Sequence, residues 1–498
     1  MPTPISRIHI SDIKNASLPS VHDFGLPEKV LQFGTGVLLR GLVDYFIQEA
    51  NTRGIFNGRV VVIKSTAQGE LNAFKKQDGL YTICVRGLEN GKLVSENRIC
   101  AAISRVLSAD FAWAEILHSV HNRELQIIVS NTTEVGLRLE EESIFKNPPR
   151  SYPAKLLALL YERYKFFHAD RSAGFVIIPT ELIPDNGALL CDILLRLAHF
   201  NLLEADFVAW LTEANVFCSS LVDRIVPGKP LGEEKAALEN DLGFSDELAL
   251  IAEPYRLWAI AGDEKIKSIC SFHEADAGVI ISPDITPYRE LKLRLLNGTH
   301  TLTCGLAHLA GFTTVKEGMA DKVLSNYIRG LMQEEILPVL PPPITEQQAR
   351  EFASRVLERF ANPFIEHPWL SITLQYSSKM RMRNIPILLN HYKKHNGAPK
   401  RIALGFAAYI LFMKAVKFED RVYYGKTENG FYPIRDDEAS YFMDLWHRRQ
   451  PEEIVRTVLA NQSLWGTDLC QLPGFANLVV ERLRDLMRRD GPNLTLAS

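Results

Sequence analysis

Five short, almost continuously apolar runs recur through the first half of the chain: Lys29-Val-Leu-Gln-Phe33, Arg59-Val-Val-Val-Ile63, Leu125-Gln-Ile-Ile-Val129, Gly174-Phe-Val-Ile-Ile178 and Val216-Phe-Cys-Ser219. Helical patterns separate them, the first being 37–50. Strands without polar alternation need cover on both faces, and helices crossing between parallel strands supply it. The reading is therefore α/β, a mostly parallel sheet with helices on both faces. Two pieces depart from the alternation. Asn90-Gly91, between Tyr81–Arg86 and Lys92–Ser95, signals a hairpin near 81–97. A helical insert near 141–168 gives extra cover. After Ile285-Thr-Pro-Tyr288 the pattern turns almost wholly helical, over 290–309, 320–335, 346–360, 402–416 and 475–489. That places a domain boundary near residue 284, with domains 1–284 and 285–498.

At 498 residues the chain exceeds what one core can bury, which agrees with two domains. Hydrophobic content of 46% and charged content of 23% are those of a globular protein. A net charge of −3 gives nucleic acid or an anionic membrane nothing to bind, so neither is expected as a partner. The seven cysteines (84, 100, 191, 218, 270, 304, 470) form no C-x-x-C pair, which suits free thiols. The N-terminal sequence has no apolar signal core, and no apolar run is long enough to span a bilayer. The expectation is a cytoplasmic protein.

Gly34-Thr-Gly36 lies between the first strand and its helix. Glycines there let backbone approach a pyrophosphate, and the helix N-terminus offers unpaired N–H groups. The usual third glycine falls on Leu39; the next is Gly41. The second strand ends in Lys64-Ser65-Thr66, without an acid for the adenosine ribose, and Lys64 tolerates a phosphate. NAD is expected and NADP is not excluded. Ser130-Asn-Thr-Thr-Glu134, Thr180-Glu-Leu-Ile-Pro-Asp-Asn-Gly187 and Val222-Asp223-Arg224 all follow strands, at the edge where such sheets bind ligands. Taken singly, each also reads as a turn or an exposed ion pair. Gly425-Lys-Thr427 lacks the upstream glycine of a phosphate loop, which is Asp420. His273-Glu274 lacks the second histidine of a zinc helix, and no other spacing suggests a metal.

Tyr288-Arg-Glu-Leu-Lys-Leu-Arg-Leu-Leu-Asn-Gly-Thr-His300 places Lys292, Asn297 and His300 at i, i+5 and i+8. At about 100° per residue they share one arc of an α-helix, with His300 between the other two. An amine, an amide and an imidazole among leucines are costly to bury without partners. A carbonyl or alcohol substrate is one such partner; a solvated helix edge is the other reading.

Together these segments resemble the polyol-specific long-chain dehydrogenase/reductase family, that of mannitol dehydrogenase, over nearly the whole chain. The resemblance rests on Gly34-x-Gly36, Ser130-Asn-Thr-Thr-Glu134, Asn186-Gly187, Val222-Asp223-Arg224-Ile225-x-Pro227 and, above all, Lys292-x4-Asn297-x2-His300. Within the family, Pro287–Thr301, Thr180–Ile183 and Ala361-Asn-Pro-Phe-Ile-Glu-His367 look most like members acting on keto sugar acids. The resemblance implies an N-terminal Rossmann-type domain, a mainly helical C-terminal domain, an active site between them and no metal. It implies NAD-dependent, reversible reduction of D-tagaturonate to D-altronate, with small-molecule keto acid and aldonate as partners and a monomer or weak homo-oligomer. Fructuronate or a polyol is the alternative substrate, and a non-catalytic dinucleotide or sugar-acid sensor the alternative class.

By resemblance Lys292 is the general acid/base, Asn297 polarises the carbonyl and His300 orients the substrate. Cofactor contacts are expected from Phe33, Gly34, Thr35, Gly36, Ser65, Asn131, Thr132 and Asp223. Substrate contacts are expected from Lys379, Arg289, Glu181, Asn186, Arg381 and Arg383. Three positions depart from the family pattern. A second oxyanion asparagine falls on Leu182, a glutamate becomes Arg289, and a substrate-binding arginine becomes Ser371. Gaining Arg289 and supplying Arg381 and Arg383 beside Lys379 suits a substrate that carries a carboxylate.

Overall fold

The computed structural model describes residues 3–65, 71–132 and 136–488. The chain forms two compact units, one of residues 1–87 and 93–285, the other of 286–498 together with 88–92.

The first unit is built on six strands: β1 (Glu28–Phe33), β2 (Arg59–Lys64), β5 (Ile103–Ser108), β6 (Ile127–Ser130), β7 (Val176–Pro179) and β8 (Val216–Phe217). All pair in parallel, in the spatial order β5-β2-β1-β6-β7-β8. The sequence reading misses β5, an edge strand whose Ile103-Ser-Arg-Val-Leu-Ser108 is only half apolar. β2 and β5 lie on one side of β1, and β6 onward on the other. The topology therefore reverses between β1 and β6, the point at which doubly wound sheets bind ligands. Both faces are covered. One carries Leu42, Phe46, Val60 and Val62; the other Leu31, Val61, Leu156 and Leu194. The 152–166 insert belongs to the second layer, through Leu156, Leu157 and Leu160.

The hairpin strands β3 (Tyr81–Glu89) and β4 (Lys92–Cys100) join β10 (Leu250–Ala252) in a second sheet, and β9 (Ser220–Asp223), β11 (Leu257–Ala261) and β12 (Val279–Ser282) form a third. Gly41 sits where the helix Val37–Thr52 packs near the second sheet: a Cβ there would lie 3.1 Å from Val226 and 3.2 Å from Leu250. It thus does the close-packing work of the missing third glycine, two residues late.

The second unit is helical, with one correction. Residues after the helix Lys400–Phe412 form a three-stranded antiparallel sheet, β13 (Lys417–Glu419), β14 (Val422–Thr427) and β15 (Gly430–Ile434), in place of further helix. Phe406, Tyr409, Trp465 and Phe475 make an aromatic core around that helix. Gly405 lets it approach the helix Thr299–Leu309, since a Cβ there would sit 2.8 Å from the Leu302 carbonyl.

Candidate active site

At the reversal point, β1 ends in the turn Gly34-Thr35-Gly36. Gly34 has φ +128°, and a Cβ there would lie 3.2 Å from the Asn131 carbonyl. Only glycine fits. Gly36 is exposed, with nothing within 4 Å of where a Cβ would be. It starts the sixteen-residue helix Val37–Thr52 without a side-chain cap. The result is open space before an uncapped helix N-terminus, which suits a phosphate.

The neighbouring strand ends supply polar groups. The Ser65 hydroxyl is buried without a partner among the described residues. Asn131 donates from its side chain to the Thr180 hydroxyl at 2.9 Å, and Asp223 closes β9 opposite Leu257. Thr66 and Glu134 fall outside the described residues.

Three expected contacts turn out to be braces. Phe33 is a core residue, edge-on to Tyr152 at 4.9 Å, so only its backbone reaches the turn. The Glu181 carboxylate is buried and receives the Thr132 N–H (2.8 Å), the Thr132 hydroxyl (3.1 Å) and the Ser130 hydroxyl (3.2 Å). Its charge is spent organising the loop after β6. Asn186, 0% exposed, donates to the Pro179, Glu181 and Ser220 carbonyls and accepts from Ser220 N–H, leaving nothing for a substrate. Gly187 beside it is needed because a Cβ would meet the Ser219 nitrogen at 2.5 Å. Leu182 is 60% exposed.

In the second unit, the segment carrying Lys292, Asn297 and His300 is not one α-helix. Thr286–Leu291 and Thr299–Leu309 are α-helical, but Lys292–Gly298 between them is a π-helical turn. In an α-helix Lys292 and Asn297 would diverge by about 140°. Pairing i to i+5 brings residues five apart nearly one above the other. The wider turn thus puts the amine and the amide on one face, a correction to the uniform-helix expectation.

A second π-helical turn, Met380–Asn384, follows directly on Lys379. The two turns bind each other's loosened carbonyls. Asn384 donates to the Gly298 carbonyl at 3.0 Å, and Arg294 to those of Met382 (2.7 Å) and Arg383 (3.0 Å). Thr301 donates to the Asn297 carbonyl at 2.7 Å and accepts from Arg383 at 3.0 Å.

His300 is 7% exposed and stacks on Phe360 at 4.0 Å, with His367 edge-on at 5.4 Å and Trp369 at 6.1 Å. Burial first, then coupling to His367 and the positive charges of Arg359, Arg383 and Lys379, push its pKa well below the ordinary imidazole value. It is therefore neutral at neutral pH, and its Nε2 is buried without a partner among the described residues. Burial and then Arg383 lower the Lys379 pKa, and burial lowers that of Arg383. The Lys379 ammonium donates to the Ile372 carbonyl at 2.9 Å; neither it nor Arg383 has a carboxylate partner among the described residues.

Arg381 is not brought into this group. It is exposed and reaches the Ser463 carbonyl at 3.4 Å. Arg289 lies on the turn before Lys292, and Ser371 is exposed. The expectations had no role for His367, Thr301 or Asn384. Their contacts with Arg383, His300 and Gly298 are made across the fold, where no local pattern announces them.

A doubly wound sheet with a glycine turn at its switch point, and a helical unit presenting lysine, asparagine and histidine, define an α/β dehydrogenase. Residues 28–269 match the mannitol dehydrogenase Rossmann domain and residues 284–487 the mannitol dehydrogenase C-terminal domain, and the chain belongs to the mannitol dehydrogenase family. It is similar to the altronate oxidoreductase of Bacillus subtilis (strain 168), 36% identical over 92% of this chain and 93% of that protein. It is 38% identical to the altronate oxidoreductase of Escherichia coli O7:K1 (strain IAI39 / ExPEC), over 93% and 95%. Among solved structures, Pseudomonas fluorescens mannitol 2-dehydrogenase in ternary complex with NAD and D-mannitol superposes with TM-score 0.70 at 22% identity, covering 99% of this chain and 98% of that one. A substrate-free D-sorbitol dehydrogenase gives TM-score 0.79 at 20% identity, covering 99% of each. At these identities the structural likeness is one of fold.

Proposed function

We propose that the protein is an NAD-dependent oxidoreductase acting on CH–OH groups, which reduces D-tagaturonate to D-altronate reversibly in hexuronate catabolism. The observation that carries this reading is the pair of half-buried cations, Lys379 and Arg383, beside His300 and without carboxylate partners. A neutral polyol leaves the desolvation of two such cations uncompensated, whereas the carboxylate of a sugar acid offsets it. Relatives named altronate oxidoreductase align over more than nine-tenths of the chain.

The turn Gly34-Thr35-Gly36 fits a dinucleotide phosphate, because Gly36 leaves open space where a Cβ would project, just before the helix N-terminus. Thr35 and Gly36 would hold the phosphate through backbone, and Ser65, Asn131, Thr132 and Asp223 would line the rest of the nucleotide site. When bound, NADH supplies the hydride. Lys292 gives a proton to the ketone oxygen on reduction and takes it back on oxidation, a role helped when a lysine falls below its ordinary pKa of roughly 10.4. Asn297, brought over Lys292 by the π turn, donates its amide N–H to the same oxygen as negative charge develops. His300, neutral, offers Nε2 to a substrate hydroxyl. Arg383 and Lys379 take the carboxylate, and Arg289 adds positive charge one turn before Lys292. We place the enzyme in the cytoplasm, where its seven free cysteines stay reduced, as a monomer or weak homo-oligomer.

The test is NADH oxidation with D-tagaturonate, D-fructuronate and D-fructose, repeated with NADPH. kcat/KM for tagaturonate with NADH should exceed every other combination by at least about tenfold, or 1.4 kcal/mol. Fructose as the best substrate would sink the acid reading, and no turnover with any of the three would revive a sensor.

A further inference from the structure

His367 stands edge-on to His300, its ring centroid 5.4 Å away, and within electrostatic reach of Lys379 and Arg359. Its carbonyl is fixed by the Val315 N–H at 2.9 Å, and Trp369, two residues on, is fully buried, so the backbone here is held. No hydrogen bond within the described residues occupies the ring. Among the described residues, the charged and titratable groups seen to act on it are His300 on the helix Thr299–Leu309, Arg359 on the helix Glu346–Phe360, and Lys379 on the short helix Tyr376–Lys379. All are basic. A protonated imidazole is unwelcome in such company until an anion arrives.

We propose that His367 completes an anion subsite with Lys379 and Arg383, and that it takes up a proton from solvent when a substrate carboxylate enters. The proposal rests on the acid-substrate reading above and deepens it, by making carboxylate recognition proton-linked. With the subsite empty, burial and then Lys379 and Arg359 lower the His367 pKa. The ring is therefore neutral at neutral pH. A carboxylate reverses the local charge balance and raises the pKa, so binding and protonation favour each other. The sign follows: affinity for an acid weakens as pH rises from the free to the bound pKa of His367, while affinity for a neutral ketose does not change through this group.

The experiment is calorimetric titration of D-altronate into the enzyme–NADH complex at pH 7, in two buffers of different ionisation enthalpy. The expected result is net proton uptake on binding, lost in His367→Gln. That variant should also raise KM for tagaturonate about tenfold, with kcat within about twofold. His367→Asn provides a second test if His367→Gln does not fold, and the wild-type measurement stands without either. Altronate binding without proton uptake, or uptake that persists in the variants, overturns the proposal. If altronate does not bind at all, the acid-substrate reading fails instead, and the two failures are distinct.

Discussion

At the scale of single residues, two chemistries occupy neighbouring positions of the second unit. Lys292 and Asn297 serve the reacting oxygen, and removal of a positioned proton donor costs roughly 10²–10⁴ in rate. Lys292→Ala should lower kcat by at least that factor and leave NADH affinity, read by fluorescence titration, within about twofold. Substantial remaining turnover would remove the lysine from the chemistry. Arg383 and Arg381 separate cleanly, because the first bonds Thr301 inside the cluster and the second reaches Ser463 from an exposed position. A charge-assisted hydrogen bond is worth about 1.5–3 kcal/mol, so Arg383→Ala should raise KM for tagaturonate by about 10- to 100-fold. Arg381→Ala should leave it within about twofold, and equal effects from the two would dissolve the distinction. The pair is identical in type and two apart in sequence; only the direction each takes from the π turn they share tells them apart.

At the scale of elements, the informative units are two π turns that face each other, Lys292–Gly298 and Met380–Asn384. Each widens a helix at the point where chemistry-bearing side chains project, and each has its carbonyls bound by side chains of the other. Gly298 belongs to this lock: a Cβ there would lie 3.1 Å from Ile387 and 3.2 Å from the Asn384 side-chain nitrogen. Asn384→Ala leaves the buried Gly298 carbonyl without its donor, a loss of about 1–3 kcal/mol. Urea unfolding should report that loss, and kcat should fall more than KM changes, because Asn297 loses its alignment over Lys292. A kcat equal to wild type in a folded variant would show that the turn holds without the lock. Helical periodicity in the sequence marks the segment as helix, but an α-helix and a π turn share the same apolar spacing over so short a stretch. The tighter or wider pairing is chosen by contacts some 85 residues away, which no local pattern carries.

At the scale of the molecule, the first unit buries Asp44 on the helix that begins at Gly36. Its carboxylate accepts from the Tyr81 hydroxyl at 3.2 Å and approaches the Gln32 amide at 3.5 Å; its other oxygen has no partner among the described residues. Burial raises its pKa from 3.8 to about 7, against the lowering effects of Tyr81, Gln32 and Arg40. The folded state thus holds this proton more tightly than the unfolded chain, and stability falls as pH rises between those two values, by on the order of 4 kcal/mol in all. Asp44→Asn should flatten that fall, so thermal melts at pH 5 and pH 8 should differ less in the variant than in the wild type. An unchanged difference would mean that Asp44 is ionised in the folded protein throughout.

The alternation of apolar runs with helices determined the doubly wound sheet, since an apolar strand has no stable place except between two covering layers. The glycine turn, the Lys292–Asn297–His300 spacing and the gain of positive charge near Lys379 were likewise legible, because each is local. The edge strand β5, the β13–β15 sheet and the roles of Asn186, Glu181 and Phe33 were not. Asn186 and Glu181 read as ligand-facing because polar residues after parallel strands so often are; the tertiary structure instead spends them on backbone groups that burial would otherwise strand. The same holds for the opening of the helix at Lys292 and for the company His367 keeps. Sequence fixes which groups are available, but which of them remain free for a ligand depends on the partners that the fold has already assigned.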